Sequence, residues 1–261
     1  MLCTDFKKSH IADDRKQNKD KDMIDLRLGD CLEVMKEIPS KSIDAIITDP
    51  PYIGIINAKW DKGENPFNEE LVKEMFRVLK ANGSVYVWCG IGEKSNSLFD
   101  FYPILKSKFY FKDLITWKKK KGIGMRKGWL YTREECLWFV KDNKSFFWNK
   151  ENQYSEEERK TSNKTKCIPK SKFKRITNVW TDISEATVGN LKNKIKLHPC
   201  EKPVKLIERI VLTSTKENET VLDMFMGSNS TGLACKNTNR NFIGIEMNDE
   251  YYDIACKRVG L

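Results

Sequence analysis

The 261-residue sequence contains no long apolar run, and this absence argues against a membrane-spanning helix. Such a helix needs roughly 20 consecutive apolar residues, and no stretch of the chain approaches that length. Residues 1–22 also lack the apolar centre of a signal peptide, and their mixture of charges without a period predicts a flexible tail. We therefore expect a protein that stays inside the cell.

Residues that bind metals are scarce and poorly placed. The chain has two histidines, His10 and His198, and its eight cysteines are scattered singly without a Cys-x-x-Cys pair. Zinc sites and disulfide frameworks rely on paired or closely spaced ligands, so we expect neither a metal site nor disulfides. The cysteines are then buried or neutral thiols.

Two nucleotide-binding motifs are also missing. The sequence has no Gly-x-Gly-x-x-Gly motif, which disfavours a dinucleotide because nothing would hold its pyrophosphate. No Gly-Lys-Ser/Thr follows the glycine-containing turn near residue 227, which disfavours a nucleoside triphosphatase.

What the sequence does have is positive charge. Its 47 lysines and arginines outnumber its 37 acidic residues and give a formal net charge of +10. A field of this sign favours an anionic partner, and nucleic acid is the first candidate. Charge alone is weak support, since a lysine-rich composition also arises from a biased genome.

Short apolar strands alternate with amphipathic helices along most of the chain. We predict strands within 23–31, 42–49, 84–89, 111–119, 135–141, 220–225 and 241–246, helices at 32–38, 68–80, 94–107, 203–215 and 248–258, one further helix after the turn near 227, and a Gly- and Lys-rich loop at 120–128. The segment 42–49 is apolar on both faces, as central parallel strands are. This alternation predicts an α/β fold with a doubly wound, mostly parallel sheet.

The alternation breaks down between residues 143 and 195, where basic residues are interleaved with aromatic ones. We interpret this stretch as an inserted module. The chain then divides into a flexible tail (1–22), a first half of the main domain (23–142), the insert (143–195) and a second half (196–261).

A ligand-binding turn is predicted in the second half. The stretch VLDMFMGSNSTG, 221–232, combines a strand, a turn with Gly227 and the beginning of a helix, and the next strand ends at Glu246. In nucleoside-binding α/β proteins such a turn exposes backbone N–H groups, and an acid about 20 residues later binds the ribose hydroxyls. Since the dinucleotide motif is missing, this pattern favours S-adenosylmethionine.

An acid, two prolines and a tyrosine end the buried strand 42–49. Asp49 lies at its carboxyl end, where open α/β sheets bind ligands. Pro50 and Pro51 stiffen the backbone and leave the Pro50 carbonyl without a local donor. A carboxylate and a rigid carbonyl provide two acceptors for the –NH2 group of a planar ring, and Tyr52 adds a surface for stacking. This predicts attack by an exocyclic amine on an activated methyl group, with catalysis by positioning and charge stabilisation.

In this order, the motifs resemble those of the beta-class DNA amino-methyltransferases, in which D-P-P-Y precedes the cofactor motif F-x-G-x-G. The resemblance extends from residue 24 to 259 and rests on TDPPY (48–52), LDMFMGSNSTG (222–232), FIGIE (242–246), LGDCLEVMKEIPSKSID (28–44), HPCEKPVKLIERIV (198–211) and the base-pocket strand within 115–141. It implies a Rossmann-like methyltransferase fold with a permuted motif order and an inserted target-recognition region.

The resemblance also assigns site residues and S-adenosylmethionine as the cofactor. The catalytic residues are Asp49, Pro50, Pro51 and Tyr52. The cofactor-binding residues are Asp30, Cys31, Asp49, His198, Lys202, Asp223, Phe225, Gly227, Ser228, Asn229, Ser230, Thr231 and Glu246. Lys202 is expected to face the carboxylate at the methionine end of the cofactor.

The sequence departs from the family pattern at two places. Asn229 replaces the second loop glycine, and we expect a small effect because asparagine tolerates positive φ better than most residues. Cys200 and Glu201 stand where Thr and Gln are usual, so Glu201 brings a negative charge near the cofactor that is expected to weaken binding. The pair Pro199-Cys200 resembles the nucleophile of 5-methylcytosine enzymes, but it precedes a helix in the cofactor half and lacks the companion acid motif, so we interpret Cys200 as a loop residue.

The resemblance places target recognition in the insert, 143–195. Basic groups there and nearby are expected to bind phosphates of double-stranded DNA: Lys118, Lys119, Lys120, Lys121, Arg126, Lys172, Lys174 and Arg175. A stacked base cannot reach Asp49, so base flipping is implied.

The sequence thus predicts an S-adenosylmethionine-dependent DNA adenine-N6 methyltransferase. Cytosine-N4 methylation is the first alternative, because both bases carry an exocyclic amine, and Asp rather than Ser at position 49 favours adenine. A catalytically silent DNA-binding homologue is the second, RNA remains open as a substrate, and glutamine methylation is disfavoured because that group has Asn at position 49. A bacterial or phage origin, a cytoplasmic location, a homodimer and an accompanying restriction endonuclease are further expectations from the family.

Overall fold

The computed structural model describes residues 24–52, 66–92, 95–123, 127–158, 171–185 and 201–261. Their strands are β1 (Ile24–Leu28), β2 (Ile43–Thr48), β3 (Leu79–Cys89), β4 (Tyr110–Ile123), β5 (Tyr131–Val140), β6 (Tyr154–Glu158), β7 (Phe173–Arg175), β8 (Val179–Trp180), β9 (Thr220–Asp223) and β10 (Asn241–Glu246). Their α-helices are α1 (Cys31–Lys36), α2 (Glu69–Val78), α3 (Ser97–Lys106), α4 (Val204–Ser214), α5 (Ser230–Asn237) and α6 (Asp249–Val259). The predicted tail, 1–22, lies outside these residues.

One eight-stranded sheet forms the centre of the molecule, in the order β1-β10-β9-β2-β3-β5-β4-β8. Each neighbouring pair is parallel except for the two pairs that involve β5, so β5 runs against the other strands. The predicted α/β fold with a mostly parallel sheet is confirmed. None of the helices in the described ranges has the length and apolar character to cross a membrane.

Helices cover both faces of the sheet because side chains alternate along its strands. On β3, Val85, Val87 and Cys89 face one core, which includes buried residues of α1, α2 and α3. Tyr86 and Trp88 face the other core, to which α4, α5 and α6 contribute. The sheet is therefore doubly wound, and strand β2 is buried along its whole length.

The hairpin of β4 and β5 differs from the prediction. The loop predicted for 120–128 was wrong for residues 120–123, which extend β4 until Ile123 pairs with Tyr131. The ladder is irregular between Lys118 and Ile123, where β4 carries more residues than β5. Lysine is depleted in strands, but here the backbone pairs with β5 at Lys118 and again at Ile123, while the side chains of Lys120 and Lys121 stay exposed.

The segment predicted as an insert is joined to the main sheet. Strand β8 pairs with β4 at the edge of the sheet, while β6 and β7 pair with each other. The backbone N–H of Asn149 donates to the carbonyl of Thr213 in α4 at 2.8 Å. The boundaries 143 and 195 stay a prediction.

Candidate active site

The carboxyl ends of β2 and β9 bring the two predicted motifs together. Thr48, the last residue of β2, donates a hydrogen bond from Oγ1 to Oδ1 of Asp223 at 2.8 Å, although 175 positions separate them. Asp49 follows Thr48 directly and is partly exposed, while Pro50 is buried. The acid and prolines of the first motif therefore lie beside the turn that follows β9.

The side chain of Asp223 holds the turn after β9 in place through hydrogen bonds. Its Oδ2 accepts a hydrogen bond from Thr231 Oγ1 at 2.7 Å, and its Oδ1 accepts one from the backbone N–H of Phe225 at 3.1 Å. Burial raises the pKa of Asp223 from 3.8 to about 6, although these hydrogen bonds favour the charged form. At neutral pH the side chain is an anion that joins the end of β2, the turn and the beginning of α5.

Glu246, at the end of β10, lies across the turn from Asp223. Its Oε2 accepts a hydrogen bond from the backbone N–H of Gly227 at 3.0 Å, and its Oε1 accepts one from Asn248 N at 2.9 Å. Gly227 has φ of +49°, a conformation that glycine adopts without strain. Burial raises the pKa of the Glu246 carboxyl above its ordinary value. Each oxygen retains a lone pair for a further donor.

The replacement of a family glycine by Asn229 is explained by the geometry of the turn. Asn229 has φ of +63° and lies at the N-cap of α5, where its side chain accepts from Gly232 N at 2.9 Å. A Cβ at position 232 would lie 2.0 Å from Asn229 Oδ1, so the cap requires Gly232. Asparagine thus adopts the positive φ and supplies a helix cap at the same position.

A hydroxyl group at this turn is ready for a ligand. Ser230 begins α5 and is 8% exposed, and its Oγ has no hydrogen-bond partner among the described residues. A buried hydroxyl without a partner is costly, so an unpaired one at the turn that Glu246 borders fits a polar ligand. The residues present fit the nucleoside and polar groups of S-adenosylmethionine.

The end of β1 completes this side of the site. The backbone N–H of Gly29 donates to the Glu246 carbonyl at 2.9 Å. Asp30 caps α1 by accepting from Leu32 N at 2.9 Å. Cys31 is buried, which raises the pKa of its thiol to about 12, so the thiol is neutral. The cofactor roles of Asp30 and Cys31 stay predictions.

Tyr52 is tied to the catalytic carboxylate. Its hydroxyl donates to Asp49 Oδ1 at 2.6 Å. Burial, together with the charge of Asp49, raises the pKa of Tyr52 well above its ordinary value, so the hydroxyl stays protonated. This bond fixes one oxygen of Asp49 and orients the tyrosine ring beside it.

The side chain of Lys202 contacts the other carboxylate oxygen of Asp49. Its Nζ donates to Asp49 Oδ2 and lies 3.2 Å from Oε2 of Glu134 in β5. Lys119 in β4 contacts the second oxygen of Glu134. Burial raises the pKa of Glu134, but the charges of Lys202 and Lys119 outweigh this effect and lower it. These groups form a charge-balanced chain, Lys119–Glu134–Lys202–Asp49.

Two residues of this environment were missed by the sequence prediction. Glu134 stands in a strand that was predicted to begin at residue 135, and its place across from β4 depends on the register of the hairpin. Trp88 is buried, its ring centroid lies 5.4 Å from Lys202 Nζ, and its indole N–H has no partner among the described residues. The sequence signal that could have identified Glu134 was an acidic residue on the strand next to the one that carries the run of lysines.

The charge of Glu201 is compensated. Arg258 of α6 donates to Glu201 Oε1 at 2.5 Å and, from its other terminal nitrogen, to the carbonyl of Ser228 at 2.9 Å. The negative charge that the sequence introduces near the cofactor turn is thus part of an ion pair. This pair connects the segment before α4 to the turn.

The basic residues predicted to bind DNA fall into three groups. Lys118, Lys120, Lys121 and Arg175 are exposed, Lys119 pairs with Glu134 inside the site, and Lys172 and Lys174 pair with Glu158 and Glu157. The backbone N–H groups of Lys120 and Lys121 donate to Glu185. Arg126 and His198 lie outside the described residues. The DNA contacts stay a prediction.

Comparison with known proteins agrees with this architecture. The family model described as DNA methylase, for N6 and N4 enzymes, matches residues 43–257. The match covers both the D-P-P-Y corner and the turn after β9. The chain therefore belongs to the DNA methylase family of amino-group methyltransferases.

Two curated relatives and one solved structure illustrate the similarity. The type II methyltransferase M.HpaI of Haemophilus parainfluenzae is 34% identical over 239 residues, which cover 88% of this chain and 72% of the relative. The DNA adenine methyltransferase YhdJ of Escherichia coli K12 is 33% identical over 250 residues, covering 88% of this chain and 81% of the relative. The crystal structure of the M1.HpyAVI–SAM complex has a TM-score of 0.64 and 30% identity, and covers 92% of this chain and 100% of that chain.

Proposed function

We propose that the protein transfers a methyl group from S-adenosylmethionine to the exocyclic N6 of adenine in double-stranded DNA. The observation that carries this proposal is the hydrogen bond between Thr48 and Asp223, 2.8 Å long, which holds the D-P-P-Y corner against the cofactor turn. An amine bound at Asp49 lies next to a ligand bound at Gly227. The relatives described above support the same chemistry.

Asp49 and Pro50 supply the acceptors for the target amine. Each oxygen of the Asp49 carboxylate already accepts one hydrogen bond, from Tyr52 or from Lys202, and each keeps a further lone pair. The Pro50 carbonyl accepts none of the backbone hydrogen bonds among the described residues. Hydrogen bonds from the amine to these oxygens orient its nitrogen lone pair and stabilise the positive charge that develops on it.

The cofactor is held by residues at the ends of β9 and β10 and at the start of α5. When bound, S-adenosylmethionine supplies an electrophilic methyl group on sulfur. Glu246 accepts hydrogen bonds from the ribose hydroxyls through the lone pairs that its hydrogen bonds from Gly227 and Asn248 leave free. Ser230, whose Oγ lacks a partner among the described residues, donates to a polar group of the same ligand. Asp223 keeps the turn in shape.

Adenine is favoured over cytosine as the target base. The acid at position 49 is Asp, and the relative from Escherichia coli K12 that is 33% identical is named a DNA adenine methyltransferase. A base in a duplex reaches Asp49 after it is flipped out of the stack. The reaction takes place in the bacterial cytoplasm or in a phage-infected cell, with a homodimer and a cognate restriction endonuclease as the further partners that the family implies.

The test measures transfer of labelled methyl groups to DNA. The purified protein is incubated with labelled S-adenosylmethionine and genomic DNA, followed by mass spectrometry of the nucleosides. We expect N6-methyladenine from the wild type and none from Asp49→Ala, with cofactor binding retained in that variant. If the product is N4-methylcytosine, the target base is cytosine and not adenine. An inactive wild type that binds duplex DNA would instead indicate a silent binding protein.

Sequencing the DNA of an expressing host by a methylation-sensitive long-read method then gives the recognition sequence. One motif that is methylated at adenine throughout the genome is the expected result.

A further inference from the structure

The β4–β5 hairpin extends beyond the edge of the sheet at which the active site lies. Cys89, the last residue of β3, pairs with Glu135, and β5 begins at Tyr131. At about 3.4 Å per residue, the four residues from Glu135 back to Tyr131 project roughly 14 Å past the end of β3. The described residues 127–130 follow at its far end.

Two sets of contacts fix the direction of this hairpin. On one side, the Tyr131 hydroxyl accepts from the backbone N–H of Ile91 at 2.9 Å. On the other side, Glu185 accepts from the backbone N–H groups of Lys120 and Lys121, both at 2.9 Å. The hairpin is thus held from both sides, and its position relative to Asp49 is fixed through Lys202 and Glu134.

The far end of the hairpin presents apolar side chains to solvent. Trp129 is 97% exposed and Leu130 is 66% exposed. For comparison, Phe99 on α3 is 61% exposed. A large aromatic ring gains most from being covered, so its full exposure beside a binding edge indicates a surface that another molecule covers.

The charges around Trp129 identify the class of that molecule. Lys118, Lys120, Lys121 and Lys127 are exposed on the same hairpin. A positive surface around an aromatic residue complements a polyanion that carries stacked rings. Duplex DNA has this chemistry, and it must approach the same edge of the sheet to place a base at Asp49.

We propose that Trp129 is a wedge that enters the base stack of duplex DNA and fills the gap left by the flipped target base. This proposal rests on the proposed function for the identity of the target. Apolar side chains that enter a base step unstack it, and base stacking on an aromatic ring is independent of sequence. Leu130, which follows Trp129 and is also exposed, adds apolar surface next to the wedge, and the lysines hold the phosphates on either side. Trp129 is thus a positioning residue, because it acts through the DNA and not on the reacting atoms.

An abasic site tests the wedge without any methyl transfer. A labelled duplex of arbitrary sequence is compared with the same duplex that lacks one internal base, by fluorescence anisotropy in the absence of cofactor. The missing base leaves a gap that an aromatic ring can fill. We expect the wild type to prefer the abasic duplex roughly tenfold, within the range of one base–aromatic stack.

Three variants separate the wedge from other roles. Trp129→Ala is expected to lose the preference while it keeps salt-dependent affinity for the intact duplex, and Trp129→Phe is expected to retain most of it. Phe99→Ala, which truncates an exposed aromatic on α3, is expected to behave as the wild type. Circular dichroism establishes that each variant is folded.

Three results would overturn the proposal. The first is no preference for the abasic duplex in the wild type, and the second is an unchanged preference in Trp129→Ala. The third is a change of sedimentation coefficient in Trp129→Ala with unchanged DNA binding, which would assign Trp129 to a contact between copies of the chain. If the protein transfers methyl groups to DNA but shows no preference for the abasic duplex, the wedge proposal is rejected and the proposed function stands. If it prefers the abasic duplex through Trp129 but transfers no methyl groups, the wedge proposal stands and the proposed function is rejected.

Discussion

Lys202 is shared between two carboxylates: its Nζ contacts Oδ2 of Asp49 and lies 3.2 Å from Oε2 of Glu134. The side chain of Lys202 is 7% exposed, so both ion pairs are shielded from water. Removing any one of these three groups would leave a buried charge without its partner. Lys202 therefore fixes the positions of both carboxylates. The active site therefore depends on groups from β5 and from the residues before α4.

Lys202→Met should destabilise the protein. The substitution keeps most of the apolar stem and leaves Asp49 and Glu134 without their shared cation, which costs about 3 kcal/mol for a buried pair. Urea unfolding measures the loss as a lower midpoint. Lys205→Met, at an exposed position of α4, is the matched control and should change the free energy of unfolding by less than about 0.5 kcal/mol. Equal midpoints for the two variants would contradict the assignment.

Glu134→Gln should lower kcat more than it raises KM for DNA. The change leaves the whole charge of Lys202 on Asp49, whose oxygens then accept less strongly from the target amine. We expect kcat to fall roughly tenfold, or by about 1.4 kcal/mol of transition-state stabilisation. Steady-state kinetics separate the two parameters. Glu134→Asp, which keeps the charge, should restore part of the rate; an unchanged kcat in the glutamine variant would show that Glu134 is only structural.

Thr48→Val should weaken the contact between the D-P-P-Y motif and the cofactor turn after β9. Asp223 then loses one of its hydrogen bonds while it remains buried, which costs about 1–2 kcal/mol. We expect a lower free energy of unfolding and weaker binding of S-adenosylmethionine, measured by urea unfolding and calorimetry. In the control Thr213→Val, the lost hydroxyl bonded carbonyls of its own helix, so cofactor affinity should stay at the wild-type value. Unchanged cofactor binding in Thr48→Val would remove the argument for a coupled site.

Asp223 should make stability fall as the pH rises through the acidic range. Its pKa is about 6 in the folded protein and near 3.8 in the unfolded chain, so the folded state binds the proton more tightly. The favourable contribution is complete below about pH 4 and disappears as the pH rises through about 6, with a magnitude of up to about 3 kcal/mol. The difference between wild type and Asp223→Asn in urea unfolding from pH 4 to 7 isolates this contribution. A difference that does not change with pH would refute it.

Lys120→Ala and Lys127→Ala should reduce the salt dependence of DNA binding. Each phosphate contact contributes roughly one unit to the slope of log affinity against log salt concentration, so each variant should lower the slope by about 1. Titrations of labelled duplex over a range of salt concentrations give the slope. Lys73→Ala, at an exposed position on α2, should leave it unchanged.

The sequence predicted those parts of the molecule that local patterns determine. The buried strand 42–49, the turn with Gly227 and the acid Glu246 each follow from residues within one short segment, and the observed β2 and β10 agree with them. The position of Glu134 follows instead from the register in which β5 pairs with β4. Lys202 is bound by residues from two distant segments, so its contact with Asp49 could not be predicted from its own neighbourhood.

The arrangement of β2 next to β9 has a consequence for synthesis of the protein on the ribosome. A nascent chain that has emerged as far as β5 contains the D-P-P-Y corner, yet it lacks Asp223 and the whole turn for the cofactor. Until β9 pairs with β2, one side of this apolar strand is an open edge of the kind that joins other chains and aggregates. Methylation therefore begins only after β9, the turn with Gly227 and β10 with Glu246 have been made, and premature termination before residue 220 yields an inert, aggregation-prone fragment.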